Sequence, residues 1–182
     1  MRRFFTKTIL LSMLFCGIAT IFSCSTKQTP ASKSAEVEVA EAVCNIYDHI
    51  FECYGAGNDS LDVFNRRYLT SNYNCMIDSV RAFDLQHRPG EVGFFEYDHW
   101  VMGQDYDKPS YTLDTVFVSD TLSEWYWATV TIHNFGDTKV HLLMMQEDGE
   151  WKIGDMLCYD FLQPPLAPSE LDNLCLYMRD ER

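Results

Sequence analysis

Between residues 36 and 54 the apolar side chains Val39, Ala40, Val43, Ile46, Tyr47, Ile50, Phe51 and Tyr54 recur every three or four positions. That spacing predicts an amphipathic helix. Ser34 stands where an N-cap belongs, and Glu36, Glu38 and Glu41 complement the positive end of the helix dipole. Gly55-Ala56-Gly57 stops the helix. Asp59 or Ser60 is placed to cap a short second helix through Leu61, Phe64 and Tyr68. Ser71 opens a third, with Tyr73, Met76, Ile77, Val80 and Phe83 sharing one face. After His87-Arg88-Pro89-Gly90 the period falls from 3.6 to two. Residues 111–119, 124–134, 139–147 and 150–157 read as strands, and Asp148-Gly149 is a tight-turn signal between the last two. Pro164, Pro165 and Pro168 break the chain, and Ser169 caps a closing helix carrying Leu171, Leu174, Cys175 and Met178.

Helices followed by hairpin-linked strands predict an α+β domain, with the N-terminal helices packed on one face of a curved antiparallel sheet. A two-residue turn at Gly136-Asp137 would pair His133 with Val140 and His141 with Ile132. In that register Trp125, Trp127 and Thr129 share a sheet face with Leu142 and Met144, opposite Tyr126, Val130 and Ile132. Both faces are then partly apolar, which is unusual for a sheet with one solvated face. A pocket, a homodimer interface or a covering segment such as residues 163–168 would account for it.

The chain begins with a different signal. Arg2, Arg3 and Lys7 precede an apolar run from Ile9 to Phe22, then Ser23-Cys24. The run is shorter than the roughly 20 residues that span a bilayer, and its flanks are those of a secretory signal peptide. Ile21-Phe22-Ser23-Cys24 resembles a bacterial lipobox, which implies lipidation of Cys24 and a membrane partnership through the lipid anchor. Residues 1–23 are then the leader, 24–34 a polar tether and 35–182 a single domain. The expected address is the cell envelope, at the outer membrane and facing the periplasm.

Charge narrows the partners. The chain carries a formal −13, which becomes −16 once the three basic leader residues are removed. Such a domain is repelled by phosphate backbones, so nucleic acid is not an expected partner. Hydrophobic content of 47% excludes disorder and supports one proper core. Beyond the leader, Cys44, Cys53, Cys75, Cys158 and Cys175 form no CxxC pair or zinc knuckle. Cys44 and Cys53 are too far apart along one helix to bond, and small buried hydrophobes are the default reading for these cysteines.

Arg67-Tyr68-Leu69-Thr70, Gln104-Asp105 and Glu147-Asp148-Gly149-Glu150-Trp151-Lys152-Ile153 resemble a family of uncharacterised Gram-negative lipoproteins within the nuclear-transport-factor-2-like superfamily. The resemblance covers residues 66–157. It implies a cone-shaped fold with a pocket between curved sheet and helices, and frequent dimerisation. It carries over no catalytic residues.

Candidate chemistry is sparse. Glu96-Tyr97-Asp98-His99-Trp100 is the densest functional cluster, and a histidine beside carboxylates suits a general base. Strand neighbours point apart, however, so Asp98 does not orient His99 by adjacency, and a loop with buried aromatics is the expected context. Asp98, Asp105 and Asp107 lack the order of a calcium loop. In the expected register His133 and His141 fall on opposite sheet faces, with no third metal ligand. No nucleophile elbow, P-loop or dinucleotide glycine pattern is present, and no cofactor is expected. The leading expectation is a non-enzymatic, lipid-anchored envelope protein that binds a small apolar ligand or a protein partner through Trp125, Trp127, Thr129, Leu142 and Met144. The alternatives are a pocket enzyme of isomerase, cyclase or hydrolase type, and an inhibitor or immunity protein against an envelope hydrolase.

Overall fold

A computed structural model describes residues 30–58, 60–91, 93–94, 98–158 and 169–179. The leader, Cys24 and residues 163–168, to which sequence patterns assign roles, lie outside the described residues. Four helices and four strands follow in the order α1 (Pro30–Gly55), α2 (Leu61–Tyr68), α3 (Ser71–His87), β1 (Ser110–Val118), β2 (Tyr126–His133), β3 (Asp137–Glu147), β4 (Glu150–Cys158) and α4 (Glu170–Tyr177). The strands form an open antiparallel meander, β1-β2-β3-β4. This is an α+β fold, as the switch from helical to strand periodicity predicts.

Helix α1 starts at Pro30, ahead of the expected cap, so Ser34 lies within the helix instead of before it. Its buried stripe is Val39, Val43, Ile46, Tyr47, Ile50 and Tyr54, the face read from the sequence, and it lies over β1 and β2. Thr70 caps α3, its hydroxyl accepting from the Tyr73 amide at 3.3 Å. Asn74 Nδ2 faces the Asn65, Leu69 and Thr70 carbonyls at 3.0–3.1 Å. Leu69 is the C-cap of α2, where a carbonyl lacks a helical partner, whereas the Asn65 carbonyl also takes the Leu69 amide at 3.0 Å. Across the molecule, Glu147 at the end of β3 accepts from the Ser71 amide at 3.0 and 3.1 Å. That backbone hydrogen bond holds the Glu147 carboxyl below its ordinary value, helped by Lys152. The carboxylate sits at the α3 N-terminus, where a helix favours negative charge.

The inner sheet face carries Tyr126, Ala128, Val130 and Ile132 from β2, Val140, Leu142 and Met144 from β3, and Ile153 and Met156 from β4. Leu69 forms a parallel bridge to Ile153, and the Thr70 amide donates to the Ile153 carbonyl at 2.9 Å. Part of the free edge of β4 is thereby paired, which blunts it. Trp151 is half-buried and meets Tyr126 edge to face at 5.4 Å. Asp148 (φ 55) and Gly149 (φ 81) make the expected two-residue turn between β3 and β4.

The β2–β3 hairpin differs from expectation. His133 pairs with Asp137, leaving Asn134-Phe135-Gly136 as a three-residue loop. Each pairing is displaced by three residues, an odd number, so every β3 side chain changes face. Leu142 and Met144 are fully buried in the core, opposite Ala128 and Tyr126. Thr129 instead faces His141, and Trp127 faces Leu143. The physical reason is burial of charge. The two-residue turn would turn Lys139 and His141 toward the helices, whereas the observed pairing leaves them outside. Asn134 secures the loop, with Nδ2 donating to the Val101 and Asp105 carbonyls at 3.0 and 2.9 Å.

Candidate functional sites: an outer sheet groove and a buried polar cluster

The sheet face turned away from the helices is the first site. Phe117, Trp127, His141 and Leu157, one from each strand, line a shallow depression of about 200 Å³. Leu143 and Met145 continue this face along β3, alternating with the buried Leu142 and Met144. Phe117 remains 45% exposed, which is high for a phenylalanine beside a tryptophan. Thr129 contributes its hydroxyl, 2.8 Å from His141 Nδ1. Burial first, and the Lys139 ammonium second, push the His141 imidazole below its ordinary value. The ring is therefore neutral at neutral pH, and the groove carries no formal charge of its own.

The expected contact face is thus half retained. Trp127 and Thr129 lie on it, and Trp125 sits in the β1–β2 connection just before β2. Leu142 and Met144 do not belong to it. Phe117, Leu143, Met145 and Leu157 take their place. The signal for Leu143 and Met145 was present in the sequence, since β3 runs Leu-Leu-Met-Met and either parity is apolar. Lys139 and His141 were the residues able to choose between them. The same correction applies to His133 and His141, which share the outer face instead of opposing faces. They stand four positions apart along the sheet, about 13 Å. Among the described residues no three His, Cys, Asp or Glu side chains gather as a metal-binding group.

The second site is internal. The loop after α3 closes on itself through the Asp98–Gly103 bridge and drives His99 and Trp100 into the core. Asp98 and His99 then serve different partners. Asp98 accepts from the Tyr54 hydroxyl and, at 2.8 Å, from the Trp100 amide. Burial pushes its carboxyl above the ordinary range, against those hydrogen bonds. His99 Nε2 lies 3.0 Å from Asn65 Oδ1, and the Trp100 indole donates to the same oxygen at 2.9 Å. An indole N–H only donates, so this Asn65 atom is an acceptor, and His99 Nε2 carries a proton.

That deduction fixes the rest. His99 Nδ1 lies 3.5 Å from Glu170 Oε1, both side chains being almost fully buried. A ring protonated on Nε2 alone aims a lone pair at this carboxylate, and one further proton would turn the contact into a charge-assisted hydrogen bond. Burial alone would push the Glu170 carboxyl up. Attraction to His99 and hydrogen bonding to His99 and Tyr73 outweigh it and hold the group below its ordinary value. Asn65, Tyr73 and Glu170 lie 34, 26 and 71 positions from His99, so no local spacing reveals them.

The cluster joins α2, α3, the 98–103 loop and α4 at one point and is closed to solvent. A general base needs reach to a substrate proton, and in this arrangement His99 is spent on Asn65 and Glu170. No protein-family model matches the chain, and neither a curated protein nor a solved structure matches it.

Proposed function

We propose that this is a lipid-anchored envelope protein, of nuclear-transport-factor-2-like architecture, that acts without catalysis by docking a protein partner on its outer sheet face. The observation that carries this reading is the groove of Phe117, Trp127, His141 and Leu157, apolar and uncharged on a strongly acidic chain. Its volume favours one occupant over the other. Enclosed small-molecule sites run to about 300–1,000 Å³, so a depression of about 200 Å³ fits an inserted apolar side chain better than a whole ligand. Tryptophan at such a surface contributes large contact area at small entropy cost, the usual character of a binding hot spot. The long α1 lying over β1 and β2, and Trp151-Lys152-Ile153 in the closing hairpin, support the architecture. Lipidation of Cys24 would hold the groove near the membrane.

Site-specific photo-crosslinking in cells tests the docking face. A crosslinker at Phe117 or Leu143 should give discrete adducts that Trp127→Ala reduces at least about tenfold, the effect of losing roughly 1.4 kcal/mol. Val63 on α2, 57% exposed, provides the control position. An adduct of twice the chain mass would identify the partner as a second copy. Equal labelling at Val63 and Leu143 would end the proposal.

A further inference from the structure

The buried cluster holds a carboxylate that arrives from outside it. Glu170 is the first residue of α4, a helix of eight residues that would not persist alone. Leu174, one turn further on, shares its face and is fully buried. α4 thus inserts a carboxylate and then an aliphatic side chain into the body of the protein. The receiving groups come from other elements. His99 in the loop and Tyr73 on α3 hold the carboxylate, and Tyr47 on α1 lies near enough to feel its charge.

The fit is incomplete on both sides. Glu170 Oε1 has no well-formed hydrogen bond, its contact with His99 being 3.5 Å long. The Tyr47 hydroxyl is buried with no hydrogen-bond partner among the described residues. Glu170 and Asp98 are the acidic groups that act on it, and with burial they keep it a protonated phenol, a donor without an acceptor. A buried donor left unmade is costly, and a buried ion pair is poor support for a helix compared with apolar packing. An arrangement with a surplus donor, and one carboxylate oxygen that no donor reaches at hydrogen-bonding distance, is that of a site whose occupant is a stand-in.

We propose that His99, Tyr73 and Tyr47 form a carboxylate-binding site for an aliphatic carboxylate, and that α4 plugs it with Glu170 and Leu174. The ligand's carboxylate replaces that of Glu170, and its chain replaces Leu174. α4 leaves when the ligand enters, so occupancy is reported at the surface by the state of the C-terminal helix. This site lies on the helical side of the sheet and is independent of the outer groove.

Decanoate is a suitable probe, with decanol as the same chain lacking the charge. Added to the full chain, decanoate should accelerate hydrogen exchange of the 171–177 amides, and decanol should not. Glu170→Ala empties the site and raises the fraction open to ligand, so decanoate should bind it about tenfold more tightly. His99→Gln should abolish the preference for decanoate over decanol. The wild-type exchange experiment needs no variant to fold. Unchanged exchange at 171–177, equal action of decanol, or a Glu170→Ala affinity no better than wild type would each overturn the proposal. So would decanoate binding that disappears with Trp127→Ala while α4 remains protected, because that places the ligand in the outer groove.

Discussion

Leu142→Asp should abolish cooperative folding, whereas Leu143→Asp, one residue away, should leave a folded domain. Leu142 is fully buried between Ala128 on β2 and Met156 on β4. Removing its side chain costs about 2–5 kcal/mol. The aspartate would then have to be protonated in the core, adding several kcal/mol for a pKa raised by about 3–5 units. The total rivals the 5–15 kcal/mol that holds a domain together. Leu143 sits on the outer face opposite Trp127, half-exposed. Its replacement should cost about 1 kcal/mol or less. Chemical denaturation followed by far-ultraviolet circular dichroism measures both. The opposite order, with Leu143→Asp unfolded and Leu142→Asp stable, would restore the two-residue turn and its register.

That pair of substitutions marks where the sequence is legible and where it is not. Element type is carried by local period, and α1, α3 and all four strands appear within a few residues of their expected places. The Asp148-Gly149 turn is legible for a specific reason, since a two-residue turn with both φ positive needs such residues. Ser169 is legible likewise, its hydroxyl accepting from the Asp172 amide at 3.1 Å. The β2–β3 register is not carried by local period, because Leu142, Leu143, Met144 and Met145 are apolar in both parities. Non-local polar contacts decide it, with Asn134 holding the 101–105 loop and Lys139 remaining outside.

The two candidate sites differ in the same way. Trp127 is recognisable from strand alternation alone, and Phe117 joins it only through the β1–β2 pairing of Phe117 with Trp127. Asp98 and His99 attract notice as neighbours, yet their chemistry is with Tyr54 on α1 and with Asn65 and Glu170, none adjacent in sequence. Glu170 reads in the sequence as an ordinary acid in the first turn of a helix. Its burial against His99 is set by where α4 lands on α3 and β4. Adjacency in the chain does not make the two a dyad, and the fold distributes them between two networks.

Trp100→Ala should be among the most damaging single truncations in the helical half of the molecule. Its ring is fully buried, with Tyr47 at 6.2 Å and Tyr68 at 6.3 Å, both edge to face. Truncating such a residue costs about 3–5 kcal/mol. Part of the loss is the indole hydrogen bond to Asn65 Oδ1, and a cycle with Asn65→Ala isolates that part. Asn65→Ala orphans two buried donors, Trp100 Nε1–H and His99 Nε2–H, at about 1–3 kcal/mol each. In the double variant the indole donor is already gone, so its penalty is not incurred twice. The double variant should therefore be less destabilised than the sum of the singles by about 1–3 kcal/mol. Trp100→Phe, which keeps a ring and loses the donor, should fall between wild type and Trp100→Ala. Strict additivity in urea denaturation would mean that Asn65 and Trp100 do not share the hydrogen bond on which the protonation of His99 has been argued. The assignment of His99 Nε2 as a donor would then lose its basis, because it starts from that indole.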